Sequence, residues 1–184
     1  MNNNVWTFTA PCPGGVKAAD PAISKSHIAS LLGLAEEDLL QAPIWVDTGA
    51  DQLLVPLASR DVLHRAAPDS SLLPQWPASS LGRRTAYLFV FDGDDPASGR
   101  QRARARYFFA KTASGIDEDH GTGSACANLG GWLLAQQQKL SARILVNQGE
   151  HMQRPCQPYL DVSEEGAIHV GGRVIEIGRG VVSI

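Results

Sequence analysis

The chain has 184 residues, 43% of them hydrophobic and 19% charged, which suffices for one packed core. Sixteen Lys and Arg against 19 Asp and Glu leave a net charge of -3, which excludes a protein that grips nucleic acid by bulk charge. Cys12, Cys126 and Cys156 are too widely spaced for a disulfide framework and favour a reducing, cytoplasmic setting; no run reaches the ~18 apolar residues of a membrane span, and MNNNVWTFTA is no secretory signal.

In chain order, VWTFTA (residues 5–10) alternates as a strand, ended by Pro11, Pro13, Gly14 and Gly15. SKSHIASLLGL places Ile28, Leu31, Leu32 and Leu34 at helical spacing, with Ser24 or Ser26 as cap and Gly33 as stop. AEEDLLQ reads as a short helical turn with acids at its front. Residues 44–48 and 52–57 read as strands broken at Gly49, and SRDVLHRAAPD as a short helix capped by Ser59. Residues 70–84, with Pro74 and Pro77, are irregular. TAYLFVFD (85–92) is a buried central strand, GDDPASGR a turn, and ARARYFFA (103–110) a half-exposed strand. Residues 111–125 read as a loop and 125–139 as a long helix. ARILVNQG, PYLDVSE and AIHVGGRVIEIGRGVVSI close the chain as short strands. Strands and helices mix without a βαβ rhythm, so the expected fold is α+β, a largely antiparallel curved sheet wrapped around one central helix.

Chemistry concentrates in Glu118-Asp119-His120-Gly121-Thr122-Gly123-Ser124-Ala125. Gly121 and Gly123 let the backbone approach a ligand, Thr122 and Ser124 add hydroxyls, and the following helix start adds a positive partial charge. Together they suit an anion such as a substrate carboxylate. Asp119, just outside, is placed to move a proton to or from carbon. The competing reading is plain helix capping by Thr122 and Ser124, with Glu118 and Asp119 favouring the helix dipole. Both stand at this point.

The other candidates carry paired readings too. His120 either binds substrate and relays a proton or is a solvated loop histidine. Cys126 is either a thiol activated in the first helical turn or a small packing residue, the more frequent case. Arg102, Arg104 and Arg106 form a stripe that either meets an anion or is simply solvated, and the stripe reads as solvated. Asp92, Asp94 and Asp95 lack the glutamate of a calcium loop and read as a turn. No histidine pair has ligand spacing, so no metal is expected.

EDHGTGSA before a helix, then NQGEHMQRP, then IHVGGRVIEIGRG, resembles the phenazine-biosynthesis (PhzF-like) isomerase family, whose forms run EDPxTGSA, QGxxMGRPS and VxVGGxA. Upstream, WVDTGADQLLVPLAS is similar to that family's STG segment and LLVPV-type strand. The resemblance spans residues 45–180. It implies a diaminopimelate epimerase-like fold of two lobes, each a curved sheet on a central helix, with the active site between them. It implies cofactor-free proton abstraction and return at carbon. By position Asp119 matches the second-lobe acid/base carboxylate. Gly123 and Ser124 match the substrate-binding turn at the helix start, and His120, Gly121 and Thr122 beside them are further substrate-binding candidates. Arg154 and Pro155 match the family's RP pair, a structural role. His120 stands where the family has proline, and Gln153 where it has glycine.

Residues 1–184 then read as one second-type lobe. The first lobe's base glutamate has no counterpart here. The expected partners are a small carboxylate-bearing molecule and either a complementary lobe or a second copy in a homodimer, with no nucleic acid, membrane or cofactor. The alternative is a non-catalytic anion-binding or interaction domain.

Overall fold

The computed structural model describes residues 4–12, 15–111 and 115–181. Apolar runs and alternating segments become strands: β1 (Val5–Thr9), β2 (Lys17–Ala19), β3 (Ile44–Asp47), β4 (Gln52–Pro56), β5 (Thr85–Asp94), β6 (Gln101–Lys111), β7 (Gly115–Asp119), β8 (Ala142–Gln148), β9 (Tyr159–Val162) and β10 (Ile168–Arg173). They form one sheet in the order β1-β10-β9-β8-β6-β5-β4-β3-β2, with β7 paired to β6. Only β4–β5 and β6–β8 are parallel; the other pairs are antiparallel, so the largely antiparallel reading holds.

Helix α1 (Lys25–Leu31) is capped by Ser24, whose hydroxyl oxygen accepts from the His27 amide; of the two candidate caps it is Ser24 that acts. Helix α2 (Arg60–Arg65) is capped by Ser59 through the Val62 amide, as its sequence suggests. Both pack on the outer face of the sheet, where Ile28, Leu32, Leu53, Val55, Leu63, Leu88 and Phe108 form one core.

The inner face holds helix α3 (Gly123–Ala135), whose residues 125–133 are all buried. A helix apolar on every side has to be enclosed. The sheet encloses it by curling: α3 touches β2, β3 and β4 at one end of the strand order and β9 and β10 at the other. Two adjacent glycines make the fit. A Cβ at Gly130 would lie 2.8 Å from Ile168 Cγ2 of β10, and one at Gly131 would lie 2.7 Å from Val46 Cγ1 of β3. The chain after β1 joins the two ends, since the Ala10 amide donates to the Ile168 carbonyl and the Cys12 amide to that of Thr48. Among the described residues no helix is long and apolar enough to cross a membrane.

Three expectations change. The stretch read as a loop after residue 110 contains β7, paired antiparallel with β6 from Tyr107↔Asp119 to Lys111↔Gly115. Its acidic residues hide it from hydropathy, and Arg106 and Lys111 on the partner strand neutralise two of them, Glu118 and Asp117. Helix α3 begins at Gly123 and stops at Ala135 instead of running to Lys139, because Gln137 adopts a left-handed conformation, φ 51°. The last strand ends at Arg173; residues 174–181 form none, and 182–184 lie outside the described residues. Pro13 and Gly14, read as the end of the first strand, also lie outside them.

Candidate active site

β7 delivers Asp119 to the end of the strand just before α3, on the inner face of the sheet. The next three residues turn the chain into the helix. Thr122 is the cap position, yet its side chain does not cap. Its hydroxyl donates instead to Asp119 Oδ2 at 2.6 Å. This direction is forced. The Thr122 amide can only donate, and it meets Gln148 Oε1 at 3.3 Å. The other end of that side chain, Nε2, therefore donates to the Asp119 carbonyl at 2.9 Å and to Thr122 Oγ1 at 3.1 Å. With its oxygen already accepting, the Thr122 hydroxyl is left to serve the carboxylate.

Capping by hydroxyls is thus not what Thr122 and Ser124 do, and the start of α3 has no side-chain cap. Ser124 Oγ accepts from Gln52 Nε2 at 2.9 Å, and the residue is exposed. His120 is partly exposed, with Nδ1 3.5 Å from Asp119 Oδ1. Its backbone is pinned: a Cβ at Gly149 would lie 2.6 Å from the His120 carbonyl oxygen.

Two clefts flank this helix start. One, of about 560 Å³, is lined by Trp6, Phe8, Gly121, Gly123, Pro155, Cys156 and Tyr159 among others. The other, of about 650 Å³, is lined by Arg83, Arg84, Thr85, Tyr107, Phe109, Lys111 and Asp119 among others. Asp119 and the Gly121–Gly123 backbone therefore open onto different clefts and are joined through Thr122. Burial pushes the Tyr107 phenol up, which keeps its proton on at neutral pH. Cys156, also raised by burial and then by the Asp119 charge, packs its sulfur against Gly121, 2.7 Å from where a Cβ would be.

The remaining candidates are structural. Cys126 is fully buried and its thiol is pushed up to about 12, so the packing reading is right and the activated thiol is not. The arginine stripe is not solvated as expected. Arg102 pairs with Asp95, Arg104 with Asp92 and Glu150, and the buried Arg106 with Glu118. Neighbouring strands and turns bring those acids alongside, which the local sequence does not show. Glu118 is therefore a counter-charge and not a dipole partner. Of Asp92, Asp94 and Asp95, read as a turn, Asp92 and Asp94 lie within β5, Asp92 as the strand reading of 85–92 also has it. Among the described residues no three His, Cys, Asp or Glu gather as a metal-binding group.

Sequence reasoning missed Gln52, Asn128, Gln148 and Tyr107. The first three are buried amides. A lone amide inside an apolar run, as in QLLVP or ACANLGGW, was the available signal, because a buried polar group needs partners.

The family model of phenazine biosynthesis-like proteins (PhzC-PhzF) matches residues 10–182. The chain belongs to that family. Gln153, at the position of the family's usual glycine, has φ 57°, a conformation that favours glycine. An uncharacterized isomerase of Pasteurella multocida (strain Pm70) is 38% identical over 151 residues, 82% of this chain and 47% of that protein. The chain thus spans about half the length of that curated relative. A Bacillus anthracis phenazine biosynthesis protein of the PhzF family superposes with TM-score 0.73 at 20% identity, covering 91% of this chain and 57% of that one. A predicted epimerase of Pseudomonas aeruginosa gives TM-score 0.59 at 23% identity, over 91% and 52% of the two chains. The curled mixed sheet on a central helix is the PhzF and diaminopimelate epimerase-like fold.

Proposed function

We propose that residues 1–184 of this PhzF-family chain form a single lobe that carries the acid/base carboxylate of a cofactor-free isomerase or epimerase. The reaction is proton transfer at carbon of a small carboxylate-bearing substrate. The observation that carries this reading is Asp119: one oxygen is held by the Thr122 hydroxyl at 2.6 Å, beside the uncapped start of a buried helix. Oδ1 is then the oxygen that exchanges a proton with substrate, and His120, 3.5 Å away, is placed to resupply it. Reaching across Thr122 from the cleft that Asp119 lines to the one that Gly121 and Gly123 line, the substrate sets its carboxylate, and the charge that develops next to it, on the amides of Gly121, Gly123 and Ser124 and on the Ser124 hydroxyl.

Moving a proton between two positions needs a second group. A complementary lobe, or a second copy in a homodimer, supplies it in this reading. Trp6 and Phe8, 74% and 50% exposed at the cleft that Gly123 lines, support such a cover. Neither nucleic acid nor a membrane is among the proposed partners. Three free thiols, Cys12, Cys126 and Cys156, fit a cytoplasmic location.

The test is incubation in deuterated water with small carboxylic acids bearing an acidic α-carbon, followed by NMR. With a complementary lobe or second copy in place, wild type exchanges the α-proton, and Asp119→Asn lowers the rate by about 100-fold or more. Exchange unaffected by Asp119→Asn sinks the assignment. A second reading, an anion-binding domain without catalysis, is supported by Gly121 and Gly123 lining a cleft that Asp119 does not. Carboxylate binding without exchange, alone or with a complementary lobe added, establishes it.

A further inference from the structure

The buried amides next to α3 form a chain whose polarity can be read from the backbone outward. The Thr48 amide can only donate, and it meets Asn128 Oδ1 at 3.0 Å. The Ala50 carbonyl can only accept, and it meets Asn128 Nδ2 at 2.7 Å. These two fixed groups set the Asn128 carboxamide one way round. Asn128 Nδ2 then donates its second proton to Gln52 Oε1 at 2.7 Å, which sets Gln52 as well. Gln52 Nε2 faces the site and donates to Ser124 Oγ at 2.9 Å. Asn128 is fully buried and Gln52 is 3% exposed, so neither amide can turn without stranding a partner.

We infer that Gln52 is a positioning residue: it occupies the Ser124 oxygen as an acceptor and commits the Ser124 hydroxyl proton to whatever binds at the start of α3. Among the described residues no other acceptor takes that proton. The hydroxyl and the helix-start amides then present donors only. The ligand group they select is a carboxylate with two acceptor oxygens, over the isosteric carboxamide, whose NH₂ would face a donor. This rests on the anion site proposed above and adds its selectivity and the residue that sets it.

The test is NMR titration of the full chain with acetate and with acetamide. It compares wild type, Ser124→Ala, Gln52→Met and the double variant. In wild type the Gly123 and Ser124 amides shift, with acetate preferred about tenfold. Ser124→Ala and Gln52→Met each reduce acetate affinity several-fold, and the double variant binds no more weakly than Ser124→Ala, because Gln52 acts through that hydroxyl. Gln52→Met binding acetate like wild type, or weakening it equally when Ser124 is already alanine, overturns the inference and leaves the anion site standing. If Gln52→Met does not fold, the Gln52 carboxamide protons are followed in the other two proteins. They move with acetate in wild type and stay still in Ser124→Ala; stationary protons in wild type overturn the inference. A wild type whose helix-start amides ignore acetate removes the anion site itself, and this inference with it.

Discussion

Glu118 and Asp119 are neighbours on β7 and point to opposite faces of the sheet. On the outer face Arg106 grips Glu118 through two nitrogens, at 3.0 and 2.7 Å, and both side chains are at most 10% exposed. The same guanidinium donates to the Leu63 and Ala66 carbonyls at the end of α2. On the inner face Asp119 is 33% exposed, with a hydroxyl on one oxygen and a histidine near the other. Two carboxylates, one residue apart, thus take different work. A fully paired, sealed acid holds elements together, and an acid left one open oxygen beside a cleft is available for chemistry.

The largest expected effect is on the sealed face. Arg106→Met strands Glu118 and releases the α2 carbonyls, and should cost about 3–5 kcal/mol in urea unfolding. Acetate binding by the folded fraction should be unchanged; lost binding would show that the two faces are not independent. Next is the helix the sheet wraps. Alanine is the better helix former by about 1 kcal/mol, yet Gly131→Ala meets Val46, Thr48 and Val16 carbons at 2.7–3.0 Å. Overpacking should win, with a net loss of about 1–3 kcal/mol by thermal unfolding; a stabilised variant would mean that the sheet relaxes around α3.

Ser59→Ala removes the cap of α2 and should cost about 1 kcal/mol in the same measurement. The outer arginine row also gives a pH signature. The Arg104 hydrogen bond holds the Asp92 carboxyl below the usual carboxylate range. A depressed folded-state pKa contributes stability that is complete above about pH 4–5 and fades as pH falls through the folded value. Asp92→Asn should therefore flatten the acid limb of a urea-midpoint profile between about pH 5 and 3, and an unchanged limb would show that this pair contributes nothing. The smallest effect on stability belongs to Asp119→Asn, within about 0.5 kcal/mol of wild type, alongside the loss of proton exchange. A large destabilisation would make Asp119 a structural acid like its neighbour.

Some of this was open to reading from residues alone. QLLVP and TAYLFVFD are continuous apolar runs and became the buried β4 and most of β5. Ser59 before an amphipathic stretch announced its helix, and the glycines of residues 119–124 announced the turn that opens α3. Such signals are local: propensity, period and capping act within a few residues of chain.

The rest came from contacts between distant segments. Strand β7 shows as a strand only once Arg106 and Lys111 lie beside its acids, and the arginine row is neutralised by residues from β5, β7, a turn and a loop. Gln52 and Asn128 are 76 positions apart, and Ser124 is 72 from Gln52. Hydrogen-bond polarity passes through space from a fixed backbone group to the next amide. That the Ser124 oxygen accepts from Gln52 therefore became definite when the sheet curled around α3 and brought Thr48, Asn128, Gln52 and Ser124 into one file.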